Sequence, residues 1–98
     1  MIFNQRVYNV CKRIPKGKVS TYKIIARKLG TKAYRAVGNA LNKNPYAPIV
    51  PCHRVVNSDG RVGGFAKGTK AKIRMLDKEG IKIKNGKVTD FRNTVLRL

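Results

Sequence analysis

Apolar residues in the first part of the chain recur at helical spacing. Ile2, Phe3, Val7, Val10, Cys11 and Ile14 predict an amphipathic helix over 3–13, stopped by Pro15 and followed by a turn at Pro15-Lys16-Gly17-Lys18. Cys11 falls on the apolar stripe, as a buried structural thiol would. Ser20 or Thr21 can cap a second helix over about 21–29, with Ile25, Ala26 and Leu29 inward and Gly30 at its end. After Thr31-Lys32, the series Ala33, Ala36, Val37, Ala40 and Leu41 predicts a third helix over 33–42. Two short helices joined by a tight glycine-containing turn form a helix-turn-helix pattern. A loop with two prolines then leads to a strand-like run, 49–56, the turn Asn57–Gly60 and a short return, Arg61-Val62. A glycine-rich loop, 63–68, precedes a fourth helix over 69–79 that buries Ile73 and Leu76 and ends at Gly80. Ile81, Ile83 and Val88 around Asn85-Gly86 predict a terminal hairpin. Residues 90–98 receive no assignment. The expected class is mainly α with a small β component, a winged-helix-like helix-turn-helix DNA-binding domain, single over 1–98.

Charge sharpens this picture. Twenty-three Lys and Arg face four acids (Asp59, Asp77, Glu79 and Asp90), a formal +19. Such self-repulsion is costly unless a polyanion screens it, so nucleic acid is the expected partner. No basic helix carries the continuous apolar face that lipid insertion needs, and no run reaches the ~18 residues of a membrane span. The compartment expected by default is the cytoplasm. The third helix would present Arg35, Gly38 and Asn39 outward, with one long side chain among small ones. Small residues let a helix backbone come close to DNA, or simply to another helix.

The candidate chemistry sits in Pro51-Cys52-His53-Arg54-Val55-Val56. It places one of two cysteines beside the sole histidine. A thiol needs its thiolate to act as a nucleophile, and a free thiol of pKa about 8.5 is only slightly ionised at neutral pH. On an extended strand neighbouring side chains point to opposite faces, so His53 would not touch the sulfur unless the backbone bends or a water bridges them. A third polar group would be needed to orient the histidine, and Glu79, an acid at the end of a helix, is the candidate. With one His and no CxxC, a structural zinc site within the chain is excluded. The glycine-rich loop lacks phosphate-loop spacing; backbone approaching a ligand accounts better for it.

These residues resemble the C-terminal, catalytic domain of O6-alkylguanine-DNA alkyltransferases. The match runs from about Phe3 to Gly80, through Ile14-Pro15-x-Gly17-x-Val19-Ser20-Thr21-Tyr22, Arg35-Ala36-Val37-Gly38-x-Ala40, Asn44-Pro45, Pro51-Cys52-His53-Arg54-Val55-Val56, Gly64-Phe65-x-x-Gly68 and Glu79-Gly80. The resemblance implies that Cys52 accepts the alkyl group from a flipped guanine, with His53 as general base through a water and Glu79 orienting it. Tyr22 would hydrogen-bond or protonate guanine N3 and contact the neighbouring phosphate. Arg35 would fill the gap in the base stack, with Ala36, Gly38 and Asn39 along the minor groove. The base pocket would comprise the carbonyls of Cys52 and Val55, Phe65, the Ala66 N–H, and Asn44 holding the adjoining turn. The implied partner is double-stranded DNA containing O6-alkylguanine, bound by a monomer with no cofactor and no metal. Phe65 stands where many members carry Tyr, and the resemblance extends to the family's catalytic domain without its usual N-terminal domain. Two rival functions are a non-catalytic lesion sensor, whose members carry Trp or Ala in place of Cys52, and a winged-helix nucleoid or regulatory protein. A cysteine hydrolase is a more distant third.

Overall fold

The computed structural model describes residues 2–65 and 67–98. The fold is mainly helical with two small sheets. Helix α1 (Phe3–Cys11) buries Val7, Tyr8, Val10 and Cys11. After the Pro15 turn come β1 (Ser20–Thr21) and α2 (Tyr22–Lys28), then α3 (Tyr34–Asn42). Thr21 is the residue that caps α2, its hydroxyl oxygen accepting from the Ile24 N–H at 3.0 Å. The buried Tyr8 donates its hydroxyl to the Ala40 carbonyl at 2.8 Å, tying α1 to α3. These three helices pack on one another around a core that includes Ile14, Ile25, Val37, Leu41, Val50 and Val55.

The expected strand over 49–56 is mostly not a strand. Only β2 (Val55–Val56) is extended, and Cys52–Arg54 form a 3-10 helical turn. The cause is local. Pro48 and Pro51 lack N–H groups and fix φ, so this segment cannot sustain a ladder. Instead Cys52 N–H donates to Val50 O at 2.8 Å and Arg54 N–H to Pro51 O at 2.9 Å. β2 pairs in parallel with β1, Ser20 opposite Val55 and Thr21 opposite Val56, a pairing the sequence does not announce. Its two valines point to opposite sides: Val55 enters the first core, Val56 a second built from Val19, Val62, Leu76, Ile81 and Val88.

Helix α4 (Thr69–Lys78) buries Leu76, whereas Ile73 is only half-buried and the fully buried neighbour is Lys72. The terminal hairpin forms as β3 (Ile83–Lys84) and β4 (Lys87–Val88). Arg61 and Val62 join that hairpin, through an Arg61–Lys87 bridge and Val62 N–H to Gly86 O, rather than returning along β2. The unassigned tail makes a short helix, α5 (Phe91–Thr94), and then lies along β1: Val95 bridges Val19, and Leu96 N–H donates to Val19 O at 2.7 Å.

Gly60 is where the tail meets the turn after β2. Its φ is +89°, and an added Cβ would lie 3.3 Å from the Phe91 ring. Gly60→Ala is expected to cost about 2 kcal/mol, combining left-handed strain with displacement of Phe91. That corresponds to a Tm lower by roughly 8–16 °C for a domain of this size. Thermal unfolding followed by circular dichroism checks it; an unchanged Tm would show that the turn relaxes without cost.

Candidate active site and nucleic-acid interface

The 3-10 turn changes the relation between Cys52 and His53 that an extended strand would impose. Both residues are buried, 8% and 3% exposed, and Cys52 belongs to the first core. His53 Nε2 lies 3.1 Å from Glu79 Oε2, close enough for an ion pair once the ring is protonated but off the line of a good hydrogen bond. Neither ring nitrogen has an aligned partner among the described residues, so no hydrogen bond joins His53 directly to Cys52. Burial lowers the His53 pKa, against the opposing pull of Glu79, with Arg54 and Lys72 lowering it further. The imidazole is therefore neutral at neutral pH and able to take a proton.

Glu79 stands at the C-terminal cap of α4. Arg54 grips it with a fork: Nε donates to Oε1 at 2.9 Å and a terminal nitrogen to Oε2 at 2.6 Å. The third arm of Arg54 donates to the Ile14 carbonyl at 2.8 Å, anchoring the ion pair to the end of the first helical segment. Burial pushes the carboxyl upward, but the contacts of Arg54 and His53 outweigh it and hold Glu79 below its ordinary value. Arg54 thus fixes the carboxylate that faces the histidine. The sequence offered Arg54 as part of a motif without showing this task.

Lys72 was missed altogether. It is fully buried, and its ammonium donates to the carbonyls of Val55 (2.7 Å), Val62 and Gly64 (3.3 Å), with the Tyr22 hydroxyl at 3.5 Å. An ammonium has donors only, so Tyr22 must accept from it, which leaves the phenolic O–H free to donate elsewhere. The ammonium also sits 5.8 Å from the Tyr22 ring centroid. Burial lowers the Lys72 pKa to about 8. Burial also pushes Tyr22 up to about 12, keeping it a phenol across the physiological range. The one available signal in the sequence was position: residues 72 and 76 are one helical turn apart on the inward face of α4.

The remaining site residues are distributed as follows. Tyr22 begins α2, and both it and Phe65 pack against the core that contains Cys52. On α3, Arg35 and Asn39 are exposed and one turn apart, and Ala36 is half-buried. Gly38, expected to face outward, is half-buried at the boundary with α2: an added Cβ would lie 3.9 Å from the Tyr22 ring. Helical geometry puts position 38 beside the buried Val37 and Leu41 stripe, so it serves packing at the edge of the exposed face. Asn44 spans its turn, donating to Val50 O at 2.9 Å and accepting from the Tyr46 N–H at 2.9 Å. The Val55 carbonyl already accepts from Lys72, which leaves it one lone pair for a further donor. Ala66 lies outside the described residues. Cys11 is fully buried, and burial pushes its thiol up to about 12. Both cysteines are free thiols, and the described residues contain no His/Cys/Asp/Glu cluster that could hold a metal ion. No helix among them is long and apolar enough to cross a membrane.

Comparison with known proteins places this arrangement. The model of the family described as 6-O-methylguanine DNA methyltransferase, DNA binding domain, matches residues 2–81. A methylated-DNA–protein-cysteine methyltransferase of Saccharolobus islandicus is 52% identical over 81 residues, covering 83% of this chain and 52% of its own length. Its counterpart in Sulfolobus acidocaldarius is 49% identical over 81 residues, with 83% and 51% covered. The chain thus spans about half the length of the curated relatives it matches. Among solved structures, Mycobacterium tuberculosis OGT in complex with DNA superposes with a TM-score of 0.78 at 40% identity, covering 82% of this chain and 49% of that one. Schizosaccharomyces pombe Atl1, in complex with damaged DNA containing O6-carboxymethylguanine, gives 0.86 at 32% identity, covering 98% and 95%. With four-fifths of its length matched, the chain belongs to the 6-O-methylguanine DNA methyltransferase DNA-binding domain family.

Proposed function

We propose that this chain is a single catalytic and DNA-binding domain, corresponding to the C-terminal half of longer relatives, that moves an alkyl group from O6-alkylguanine in duplex DNA to its own Cys52. The observation that carries the proposal is the gathering of a cysteine and a neutral histidine on the 3-10 turn, and a clamped carboxylate at the end of α4, beside the short strand β2 that pairs with the start of the helix-turn-helix. His53 takes the thiol proton through a bridging water, and the imidazolium so formed is stabilised by Glu79 at 3.1 Å. The sulfur attacks the alkyl carbon, the carbon–O6 bond breaks, and the electron pair returns to the guanine. Tyr22, a phenol with its O–H unspent on Lys72, donates to guanine N3 as that charge appears.

The base reaches the sulfur by leaving the duplex, because Cys52 is recessed and a stacked guanine cannot meet it. Arg35 fills the vacated stack, with Ala36, Gly38 and Asn39 along the minor groove. The carbonyls of Cys52 and Val55, with Phe65, Ala66 and the turn held by Asn44, receive the flipped base. The thioether is permanent, so each monomer acts once and needs no cofactor.

Incubation with an oligonucleotide duplex bearing O6-methylguanine, then intact and peptide mass spectrometry, tests this. One methyl is expected, on the peptide containing Cys52. Atl1 matches nearly the whole chain and favours a second function, recognition without transfer. Tight lesion binding with no mass gain would establish that alternative. Arg35→Ala should slow repair of duplex at least 10-fold more than reaction with free O6-benzylguanine. Equal losses in the two assays would remove Arg35 from base extrusion.

A further inference from the structure

Three adjoining concavities run along the outer side of α2, and Arg27 lines all three. At one end they include Lys23, Lys32 and Tyr34; at the other, Arg97 and Ser58. Lys23, Arg27, Lys28, Lys32 and Arg97 are all exposed. Lys23 and Arg27 stand one helical turn apart, a spacing at which like charges repel. Arg97 is brought beside them by the tail. Thr94 O accepts from the Val19 N–H, Leu96 N–H donates to Val19 O, and Leu96 O accepts from the Ser20 hydroxyl at 3.0 Å. Alternation along this extended segment turns Leu98 toward the core and Arg97 to solvent. Residues 82–98 lie beyond the span matched by the family model.

None of the four acids relieves this strip. Asp59 pairs with Arg61, Asp77 with Lys82, Glu79 with Arg54 and His53, and Asp90 accepts from Asn93. The fold therefore spends part of its tail to add a cation to a surface already repulsive. Such a surface is complementary to an anionic partner. The strip is continuous with the start of α3, since the Lys23 ammonium lies 5.6 Å from the Tyr34 ring centroid and Tyr34 precedes Arg35. Among the described residues it offers no cluster of exposed large hydrophobic side chains for a lipid surface: of Ile2, Tyr34, Tyr46 and Ile49, only Tyr34 lines it.

We infer that Lys23, Arg27 and Arg97 form a phosphate track that binds the sugar–phosphate backbone of the duplex flanking the lesion, extending the contact beyond α3. The inference rests on the alkyl-transfer proposal for what the duplex is doing there. Each neutralised phosphate steepens the salt dependence of binding by about 0.9 in the log–log slope. The combined variant Lys23→Gln, Arg27→Gln, Arg97→Gln, checked for an unchanged Tm, is therefore expected to bind unmodified duplex with a slope shallower by about 2–3. A charge-matched variant on the terminal hairpin, Lys82→Gln, Lys84→Gln, Lys87→Gln, is expected to keep the wild-type slope. Equal flattening in both variants would reduce the effect to net charge and overturn the track. So would no flattening in the first, or a loss confined to single-stranded RNA. Reaction of the wild-type protein with free O6-benzylguanine is measured alongside. Its failure would remove the transfer chemistry while leaving the slope comparison intact.

Discussion

Cys52→Ala is expected to abolish methyl gain from an O6-methylguanine duplex while leaving duplex affinity within about twofold of wild type. The loss should be complete rather than partial, because no other side chain can stand in. The second thiol, Cys11, is fully buried and pushed up to about 12, so it offers neither access nor thiolate. His53 and Glu79 can manage a proton but have nothing to manage once the sulfur is gone. Binding should survive because the exposed face of α3 and the cations around α2 are untouched. Removing one buried sulfur should cost about 1 kcal/mol of stability, too little to unfold the domain. Intact mass of variant and wild type after equal incubation decides the first point, and fluorescence anisotropy with a labelled duplex the second. A methylated Cys52→Ala protein would place the acceptor elsewhere and end the proposed mechanism. Loss of binding together with transfer would mean that the cysteine holds the site's shape.

Lys72→Met should produce the largest loss of stability. Three carbonyls, those of Val55, Val62 and Gly64, lose their donor, and each unsatisfied group costs about 1–3 kcal/mol. Relief from burying a charge offsets part of this, leaving a net loss of about 3 kcal/mol. For a domain of this size that lowers Tm by roughly 12–24 °C. A pH signature separates this from simple loss of packing. The ordinary lysine value is 10.5, and burial brings Lys72 to about 8. Between those values the unfolded chain holds the proton and the folded chain has released it, so stability rises with pH. The Lys72 contribution is fully present above about 10.5 and is lost as pH falls to about 8. The stability gap between wild type and Lys72→Met should therefore widen from pH 8 to 10.5. A constant gap would mean that Lys72 is not titrating in its buried position.

The helices were legible because periodicity and punctuation agreed. Thr21 caps α2, Pro15 follows α1, and Asn85-Gly86 turns the last hairpin, each acting on its immediate neighbours. What was not legible depended on residues far apart. A two-residue strand has no alternation to read, so the pairing of Ser20 and Thr21 with Val55 and Val56 left no trace in either segment. The tail is fixed by bonds such as Lys18 Nζ to Asn93 O, 75 positions away. Lys72 was hidden because hydropathy treats lysine as a surface residue, and only the oxygens around it make its burial tolerable. Arg54 was visible as a letter in a motif, but its fork on Glu79 needed the C-terminal cap of α4 to be brought against the 3-10 turn.

The parallel ladder between β1 and β2 has a mechanical consequence. Parallel neighbours require a crossover, and here residues 22–54, which include α2 and α3, are that crossover. Any displacement of the crossover that its packing on α1 does not absorb acts as shear on a joint only two rungs long, with Cys52 three residues from its edge. Such a joint has no intermediate settings, because a slip of one residue would exchange the sides on which Val55 and Val56 lie and expel both from their cores. The pocket should therefore tolerate load without drifting and, past a threshold, fail all at once.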